Sequence, residues 1–159
     1  MNVQGQILSP GDRLARVIAT MLGAGYSPVA PGTVGTLVTV PLAYGLGRLG
    51  GAVLWPATLA VIVVAVWAAS RAERVLGEHD SSRIVVDEAA GYLVAVSIAP
   101  GSVPHLFFAF VLFRVFDILK PPPIGAIDRH VKGGLGVVMD DVLAGVYAAA
   151  VLFLLDRFG

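Results

Sequence analysis

The stretch GAVLWPATLAVIVVAVWAAS, residues 51–70, decides the fold because it is almost wholly apolar and contains no charged side chain. A helix needs about 20 mainly apolar residues to cross the roughly 30 Å hydrocarbon core of a membrane. A continuous apolar run of this length is typical of a membrane-spanning segment rather than of the core helix of a water-soluble domain. Residues 51–70 therefore predict a transmembrane helix.

Charges are similarly missing on both sides of this stretch. Residues 17–47, 89–113 and 142–155 carry no charged side chain, and Gly and Pro interrupt the first two of these runs. Further helices are predicted at about 33–47, 89–99, 104–119 and 142–155, the middle two forming a hairpin, with an amphipathic interfacial helix at 10–22. We therefore predict one integral-membrane domain over residues 1–159. It is an all-α polytopic helical bundle with about four to five short transmembrane helices and an N-terminal interfacial helix.

The composition of the chain excludes several classes of protein. Hydrophobic residues make up 57% and charged residues 14%, against about 45–50% and about 25% in soluble domains, which argues against a water-soluble enzyme. The 11 basic and 11 acidic residues balance, so no net field would attract nucleic acid. The absence of cysteine excludes disulfides, thiolate metal sites and a cysteine nucleophile.

The distribution of basic residues predicts the orientation in the membrane. If the N-terminus lies inside, nine of the eleven basic residues fall on the inner side and only Arg48 and Arg157 fall on the outer side. This asymmetry follows the positive-inside rule of bacterial and other membrane proteins. It also brings three polar stretches of the chain, residues 79–88, 114–130 and 132–141, to one face, which we predict is cytoplasmic.

Acidic side chains are concentrated in these polar stretches. Besides Asp80, six of the eleven lie there: Asp87, Glu88, Asp117, Asp128, Asp140 and Asp141. Two adjacent pairs are predicted at helix starts, where the helix dipole explains one acid but not two. Converging carboxylates repel one another unless a cation lies between them, and hard oxygen ligands without cysteine point to Mg²⁺. The predicted metal ligands are Asp87, Glu88, Asp140 and Asp141.

Basic side chains and a Gly-rich segment add an anion-binding character. Arg114, Asp117 and Lys120 recur every three residues, so they lie on one helix face. They form either a functional ion cluster or a structural Arg114–Asp117 pair with Lys120 extending to the interface. The segment GTVGT, residues 32–36, opens the first predicted transmembrane helix with Thr33 as its N-cap. It is either a phosphate-binding loop or only a turn at the membrane.

Together these groups suggest phosphoryl chemistry. The predicted phosphate-binding residues are Thr33, Gly35, Thr36, Arg114, Lys120 and Arg129. A histidine in the polar stretches, His79 or His130, can transfer a proton near neutral pH, although a solvated loop histidine is the more common outcome.

Several motifs, in order, resemble one known family. They are SPVAPGTVGT (27–36), His79-Asp80, VVDEAAG (85–91), FRVFDILKPPPI (113–124) and DRHVKGGLGVVMDD (128–141). This series is similar to that of bacterial phosphatidylglycerophosphatase A proteins and covers nearly the whole chain. The resemblance implies a Mg²⁺-dependent lipid phosphatase of the inner membrane that converts phosphatidylglycerophosphate to phosphatidylglycerol. The expected partners are therefore this lipid and the bilayer.

The sequence leaves the chemical step open. Candidate catalytic residues are Asp117, Asp128, Lys120 and His79. Either Asp117 or Asp128 acts as a base toward water, or one of them is a nucleophile that forms an acyl phosphate. Two rival functions are a small cation transporter or channel with an acidic membrane site and a non-catalytic membrane assembly subunit. The oligomeric state does not follow from the sequence.

Overall fold

The computed structural model describes residues 7–78, 81–98 and 101–158, and within these ranges the chain forms helices and no strand. Seven α-helices follow one another: α1 (Pro10–Ala19), α2 (Pro31–Arg48), α3 (Gly51–Leu76), α4 (Val86–Ala95), α5 (Val103–Leu119), α6 (Ile124–His130) and α7 (Gly133–Phe158). A 3-10 segment, Met21–Tyr26, links α1 to α2. The predicted all-α class is confirmed.

Within the part of the chain that the structure describes, two helices have the length and composition to span a membrane. α3 and α7 each contain 26 residues, and an 18-residue segment of each has a mean hydropathy of 2.2 and 2.0, respectively. At 1.5 Å per residue each is about 39 Å long, more than the hydrocarbon core requires. α3 also exposes large apolar side chains, among them Trp55, Leu59 and Val63. Such a face indicates a membrane protein, while the total of four to five crossings stays a prediction.

The short helix α4 lies at the centre of the bundle. Every residue of α4 is buried, including its acids Asp87 and Glu88. The hydroxyl of Tyr92 donates a hydrogen bond of 2.9 Å to the carbonyl oxygen of Leu106, which fixes α4 to α5. Phe113 of α5 is fully buried in the same apolar core. A buried helix whose first turn carries two acids places those acids inside the protein.

Glycines allow α4 and α7 to cross closely. A Cβ atom at Gly91 would lie 2.5 Å from the backbone oxygen of Asp141, and one at Gly145 would strike the Gly91 carbonyl group. Small residues at such crossings let helix backbones approach each other in membranes. Because Asp141 lies one turn before Gly145, this crossing brings the acids of α7 next to those of α4.

We expect Gly145→Ala to lower the free energy of unfolding by about 1–3 kcal/mol, because the two backbones must separate to admit the methyl group. The matched control is Gly45→Ala in α2, where an added Cβ meets no atom within 4 Å among the described residues. That change leaves stability unchanged or raises it by up to about 1 kcal/mol. Denaturant unfolding in detergent micelles measures both. Equal effects of the two substitutions would contradict the close crossing.

Several predicted helix boundaries are wrong. α3 continues beyond residue 70 to Leu76, and α7 begins at Gly133 rather than near residue 142. Asp140 and Asp141 therefore lie two turns inside α7 and do not begin it. The predicted hairpin of 89–99 and 104–119 corresponds to α4 and α5, although residues 99 and 100 lie outside the described residues.

The start of α2 also differs from the prediction. The N-cap is Ala30, which has a left-handed backbone with φ of 44°, and Pro31 occupies the first helical turn. Proline suits that position because its missing N–H would be unpaired there in any case. Thr33 is consequently a residue of the helix and not its N-cap.

Candidate active site

A polar pocket of about 310 Å³ lies where α2, α4, α5 and α7 meet. It falls within the size range of small-ligand sites, which begins at about 300 Å³. Its charged lining residues are Asp87, Glu88, Arg114, Asp117, Lys120, Asp140 and Asp141. Four separate helices thus supply one pocket, with α2 contributing only uncharged residues. Five acidic and two basic side chains line it.

Arg114 joins two of these acids. Its Nη1 atom forms ion pairs with Glu88 Oε2 and, at 2.9 Å, with Asp117 Oδ2. The predicted pairing of Arg114 and Asp117 along one helix face is therefore present. The Thr36 hydroxyl of α2 lies 3.0 Å from Glu88 Oε2. Glu88 thereby links α2, α4 and α5 at the edge of the pocket.

Lys120 joins two further acids. It ends α5 in a left-handed conformation with φ of 43°, and its Nζ atom lies 2.7 Å from Asp128 Oδ1 and 2.6 Å from Asp140 Oδ2. The alternative in which Lys120 only extends to the interface is wrong. Burial alone lowers the pKa of Lys120, but its hydrogen bonds to the two acids outweigh burial and raise that pKa above its ordinary value. Lys120 is therefore a cation at neutral pH and not a proton acceptor.

Three buried polar atoms of the pocket residues have no hydrogen-bond partner among the described residues. They are Arg114 Nε, Asp140 Oδ1 and Asp141 Oδ2. A buried polar atom left unpaired costs about 1–3 kcal/mol, so such atoms call for an explanation. Arg114 Nε is a donor that could bind an anion, and the two carboxylate oxygens are acceptors that could bind a cation.

The four predicted metal ligands all line this pocket. Asp87 and Glu88 are 8% and 7% exposed, and Asp140 and Asp141 are each 4% exposed. Asp87 Oδ1 accepts a hydrogen bond of 3.0 Å from the Glu88 amide. Within residues 7–78, 81–98 and 101–158, no three acidic or histidine side chains already stand at the spacing of a formed metal site. Mg²⁺ is commonly held by one or two carboxylates together with waters and substrate phosphate, so it does not need three such side chains.

The predicted phosphate-binding loop has a different structure. Residues 32–36 belong to the first turns of α2, and Gly35 and Thr36 are buried in helix packing. Gly32 does line the pocket, whereas Thr33, Gly35 and Thr36 do not. A Cβ atom at Gly32 would collide with the carboxylate of Glu88. The glycine thus permits close packing around Glu88.

The remaining predicted residues that the structure describes lie outside the pocket lining. Arg129 is exposed on α6, and Asp128 reaches the pocket only through Lys120. His79 lies outside the described residues. His130 is exposed on α6, where its Nδ1–H donates a hydrogen bond of 2.8 Å to the Ala126 carbonyl oxygen. Ser81 and Ser82 also line the pocket, although the sequence did not predict them as site residues. Their position beside the His79-Asp80 motif was the available signal.

Comparison with known proteins gives matches over most of the chain. The family model described as phosphatidylglycerophosphatase A matches residues 17–156. The Escherichia coli protein named phosphatidylglycerophosphatase A is 34% identical over 142 residues, which cover 89% of this chain and 83% of that protein. The protein of the same name from Haemophilus influenzae is 35% identical over 142 residues, covering 88% and 87%.

A further relative carries a different name. A Bacteroides thetaiotaomicron protein with the provisional name phosphatidylinositol-3-phosphatase is 41% identical over 140 residues, covering 83% of this chain and 87% of the relative. No solved structure matches the chain. The resemblance seen in the ordered motifs is confirmed by the family match. The chain belongs to the phosphatidylglycerophosphatase A family.

Proposed function

We propose that this protein removes the terminal phosphate of phosphatidylglycerophosphate, giving phosphatidylglycerol and inorganic phosphate, with the assistance of Mg²⁺. The observation that carries the proposal is the pocket in which an unpaired guanidinium nitrogen and two unpaired carboxylate oxygens are buried together. A phosphomonoester with a bound divalent cation presents both an acceptor for Arg114 Nε and a cation for Asp140 and Asp141.

The charge of the pocket supports a metal. Five carboxylates and two cations line it, so an anionic phosphate would be repelled without an added cation. Asp140 Oδ1 and Asp141 Oδ2 are the atoms best suited to hold Mg²⁺, with Asp87 and Glu88 completing the set of oxygen ligands. When bound, Mg²⁺ supplies a Lewis acid that stabilises negative charge on phosphate oxygens and makes water more acidic.

The residues of the chain then bind and orient the phosphate. Arg114 donates through Nε while its Nη1 stays bound to Glu88 and Asp117, and the Lys120 ammonium offers a second positive charge. In hydrolysis by water, the water oxygen bonds to phosphorus, the bond from phosphorus to the terminal glycerol oxygen breaks, and that oxygen takes up a proton. His79 remains our candidate proton donor.

Asp117 is better placed than Asp128 to act on the nucleophile. Asp117 lines the pocket, whereas Asp128 is held on the far side of Lys120. Whether Asp117 deprotonates water or itself attacks phosphorus is decided by an acid quench of a single turnover with substrate labelled in its terminal phosphate. An acyl phosphate leaves the label on the protein until hydroxylamine removes it, whereas direct attack by water leaves the protein unlabelled.

The depth of the pocket supports an enzyme rather than a cation transporter. Asp140 lies seven residues, or about 10 Å, from the start of the roughly 39 Å helix α7. That position lies about 9 Å short of the middle of the helix, so Asp140 is displaced from the depth at which a transporter is expected to bind its ion. We further propose that this end faces the cytoplasm at the inner membrane, since nine of the eleven basic residues lie on that side in the predicted topology.

Phosphate release from defined lipids tests the proposal. We expect purified protein in phosphatidylcholine vesicles to release phosphate from phosphatidylglycerophosphate when Mg²⁺ is present. The rate of release should fall to background in excess chelator and recover when Mg²⁺ is restored. Undiminished release in chelator would refute the metal. Phosphatidylinositol 3-phosphate belongs in the same assay because of the Bacteroides relative. Faster release from that lipid would replace the proposed substrate.

A further inference from the structure

We propose that an apolar groove between α2 and α5 holds one acyl chain of the lipid substrate while the polar pocket holds its phosphate; this inference rests on the proposed function. The groove has a volume of about 510 Å³. Leu37, Val40 and Tyr44 line it from α2, and Val103, Phe107 and Phe110 line it from α5. Its walls are almost entirely apolar, as a hydrocarbon chain requires.

The groove continues from the polar pocket along the same two helices. α2 begins at the pocket with Pro31 and Gly32 and reaches the groove at Leu37, less than two turns later. α5 runs the opposite way, so that Phe110 of the groove precedes Arg114 of the pocket by one turn. A phosphate bound to Arg114 therefore has its lipid tail directed toward the space between Leu37 and Phe110.

The dimensions suit a chain that remains within one leaflet. From Leu37 to Tyr44 the groove follows seven residues of α2, or about 10 Å. One leaflet contributes about half of the roughly 30 Å hydrocarbon core. Leu37, Val103 and Phe107 are 53%, 63% and 63% exposed, so the groove opens sideways. A lipid can enter from the bilayer without leaving it.

The physical role of the groove is to position the substrate. Hydrocarbon gains little by moving from lipid to an apolar protein surface, so the groove adds little binding free energy of the hydrophobic kind. A chain held between two helices instead restricts where the phosphate can lie, and misplacement of reacting groups by about 1 Å can cost about 100-fold in rate. Closing the groove should therefore affect hydrolysis of long-chain substrate selectively.

Leu37→Trp and Leu59→Trp provide a matched test. Both replace an exposed leucine of an apolar helix surface, but Leu59 lies on α3 and lines neither the groove nor the polar pocket. We expect Leu37→Trp to lower kcat/KM for dioleoyl phosphatidylglycerophosphate roughly tenfold. Slow hydrolysis of the tail-free head group, glycerophosphoglycerophosphate, should change by less than about twofold, and Leu59→Trp should change neither. An equal loss on both substrates, or equal effects of both variants, would overturn the proposal.

A second pair covers the case in which Leu37→Trp does not fold. Phe107→Ala widens the groove, and Phe153→Ala removes a similarly exposed ring from α7. Only the first should lower kcat/KM for the dioleoyl substrate, by roughly threefold, because a widened groove restrains the chain less. A loss in Phe153→Ala of the same size would count against the groove.

Direct labelling separates substrate from other occupants. Phosphatidylglycerophosphate with a photoreactive group in one acyl chain should label groove residues in phosphatidylcholine vesicles, and excess unlabelled phosphatidylglycerophosphate should abolish that labelling. Labelling that persists under this competition overturns the proposal. An absence of labelling, as expected if a second copy of the chain covers the groove, overturns it as well. If the wild type releases no phosphate from any lipid, the proposed function itself fails. An active wild type with unchanged groove variants refutes the groove alone.

Discussion

Asp141→Asn is expected to lower Mg²⁺-dependent phosphate release by at least about 100-fold while the fold is retained. Asp141 is 4% exposed, and its Oδ2 atom has no hydrogen-bond partner among the described residues. The amide keeps the shape of the side chain but loses the negative charge that would hold a divalent cation. Loss of one preorganised electrostatic group typically costs about 10²–10³ in kcat. Initial rates on phosphatidylglycerophosphate vesicles measure the effect.

The same substitution, Asp141→Asn, should leave the free energy of unfolding unchanged or raise it, although it lowers the rate. A buried carboxylate among four other acids of the pocket is costly without a cation, and a neutral amide avoids that repulsion. In chelator, Asp141→Asn should therefore have an unfolding free energy equal to or above that of the wild type. Added Mg²⁺ should raise the thermal midpoint of the wild type more than that of the variant. A purely structural Asp141 would instead lose stability and rate together.

Asp156→Asn is the matched control for this substitution. It lies on the same helix, has a side chain that is 46% exposed, and pairs with His105 at 2.8 Å. Its rate should stay within about twofold of the wild type, since an exposed ion pair contributes little. The metal assignment is wrong if Asp141→Asn keeps the full rate or behaves like Asp156→Asn.

The contrast between α3 and α7 shows how far hydropathy predicts this fold. α3 was predicted from residues 51–70 because its apolar run is uninterrupted. Such a run can be recognised without knowing which helices pack against it. α7 was placed nine residues late because its acids and the glycines before them have the composition of a helix start. Inside the protein these acids face Lys120 and the acids of α4. Such long-range pairing is not visible in local sequence.

The glycines were the least informative part of the sequence. Residues 32–36 were interpreted as either a phosphate-binding loop or a turn at the membrane, yet they form a helix in which Gly32 and Gly35 permit close contact with Glu88 and Val85. Composition cannot distinguish a glycine that frees the backbone from one that admits a neighbour. Only the crossing partner makes that distinction, and it is supplied by the tertiary structure.

The sequence predicted which charged residues come together better than it predicted the helix boundaries and the glycine contacts around them. A membrane protein with few acids retains buried charges only where they pair or bind a ligand. The few charged positions in the sequence therefore indicated where the site lies. All four predicted metal-ligand positions and three of the other charged positions, Arg114, Asp117 and Lys120, line one pocket. Arg129 and Asp128 do not line it: Arg129 is exposed on α6, and Asp128 contacts the pocket residue Lys120 from outside the lining. Sequence spacing gives no orientation for so short a helix.

Arg114→Lys is expected to lower kcat/KM by about 10²–10³ with only a modest loss of stability. Lysine keeps a positive charge near Glu88 and Asp117, but it lacks the Nε donor that is unpaired in the pocket. A compact ammonium also cannot bind two carboxylates and a phosphate oxygen in the planar geometry of guanidinium. Steady-state kinetics on phosphatidylglycerophosphate vesicles, together with denaturant unfolding, measure both effects.

Two comparisons give this substitution its meaning. Arg48→Lys makes the same change at the exposed far end of α2 and should leave the rate within about twofold of the wild type. Arg114→Ala should instead unfold easily, because removing one partner of a buried ion pair costs about 3–5 kcal/mol. If Arg114→Lys keeps the wild-type rate, then charge alone suffices at this position. The unpaired Nε atom would then have no part in binding the phosphate.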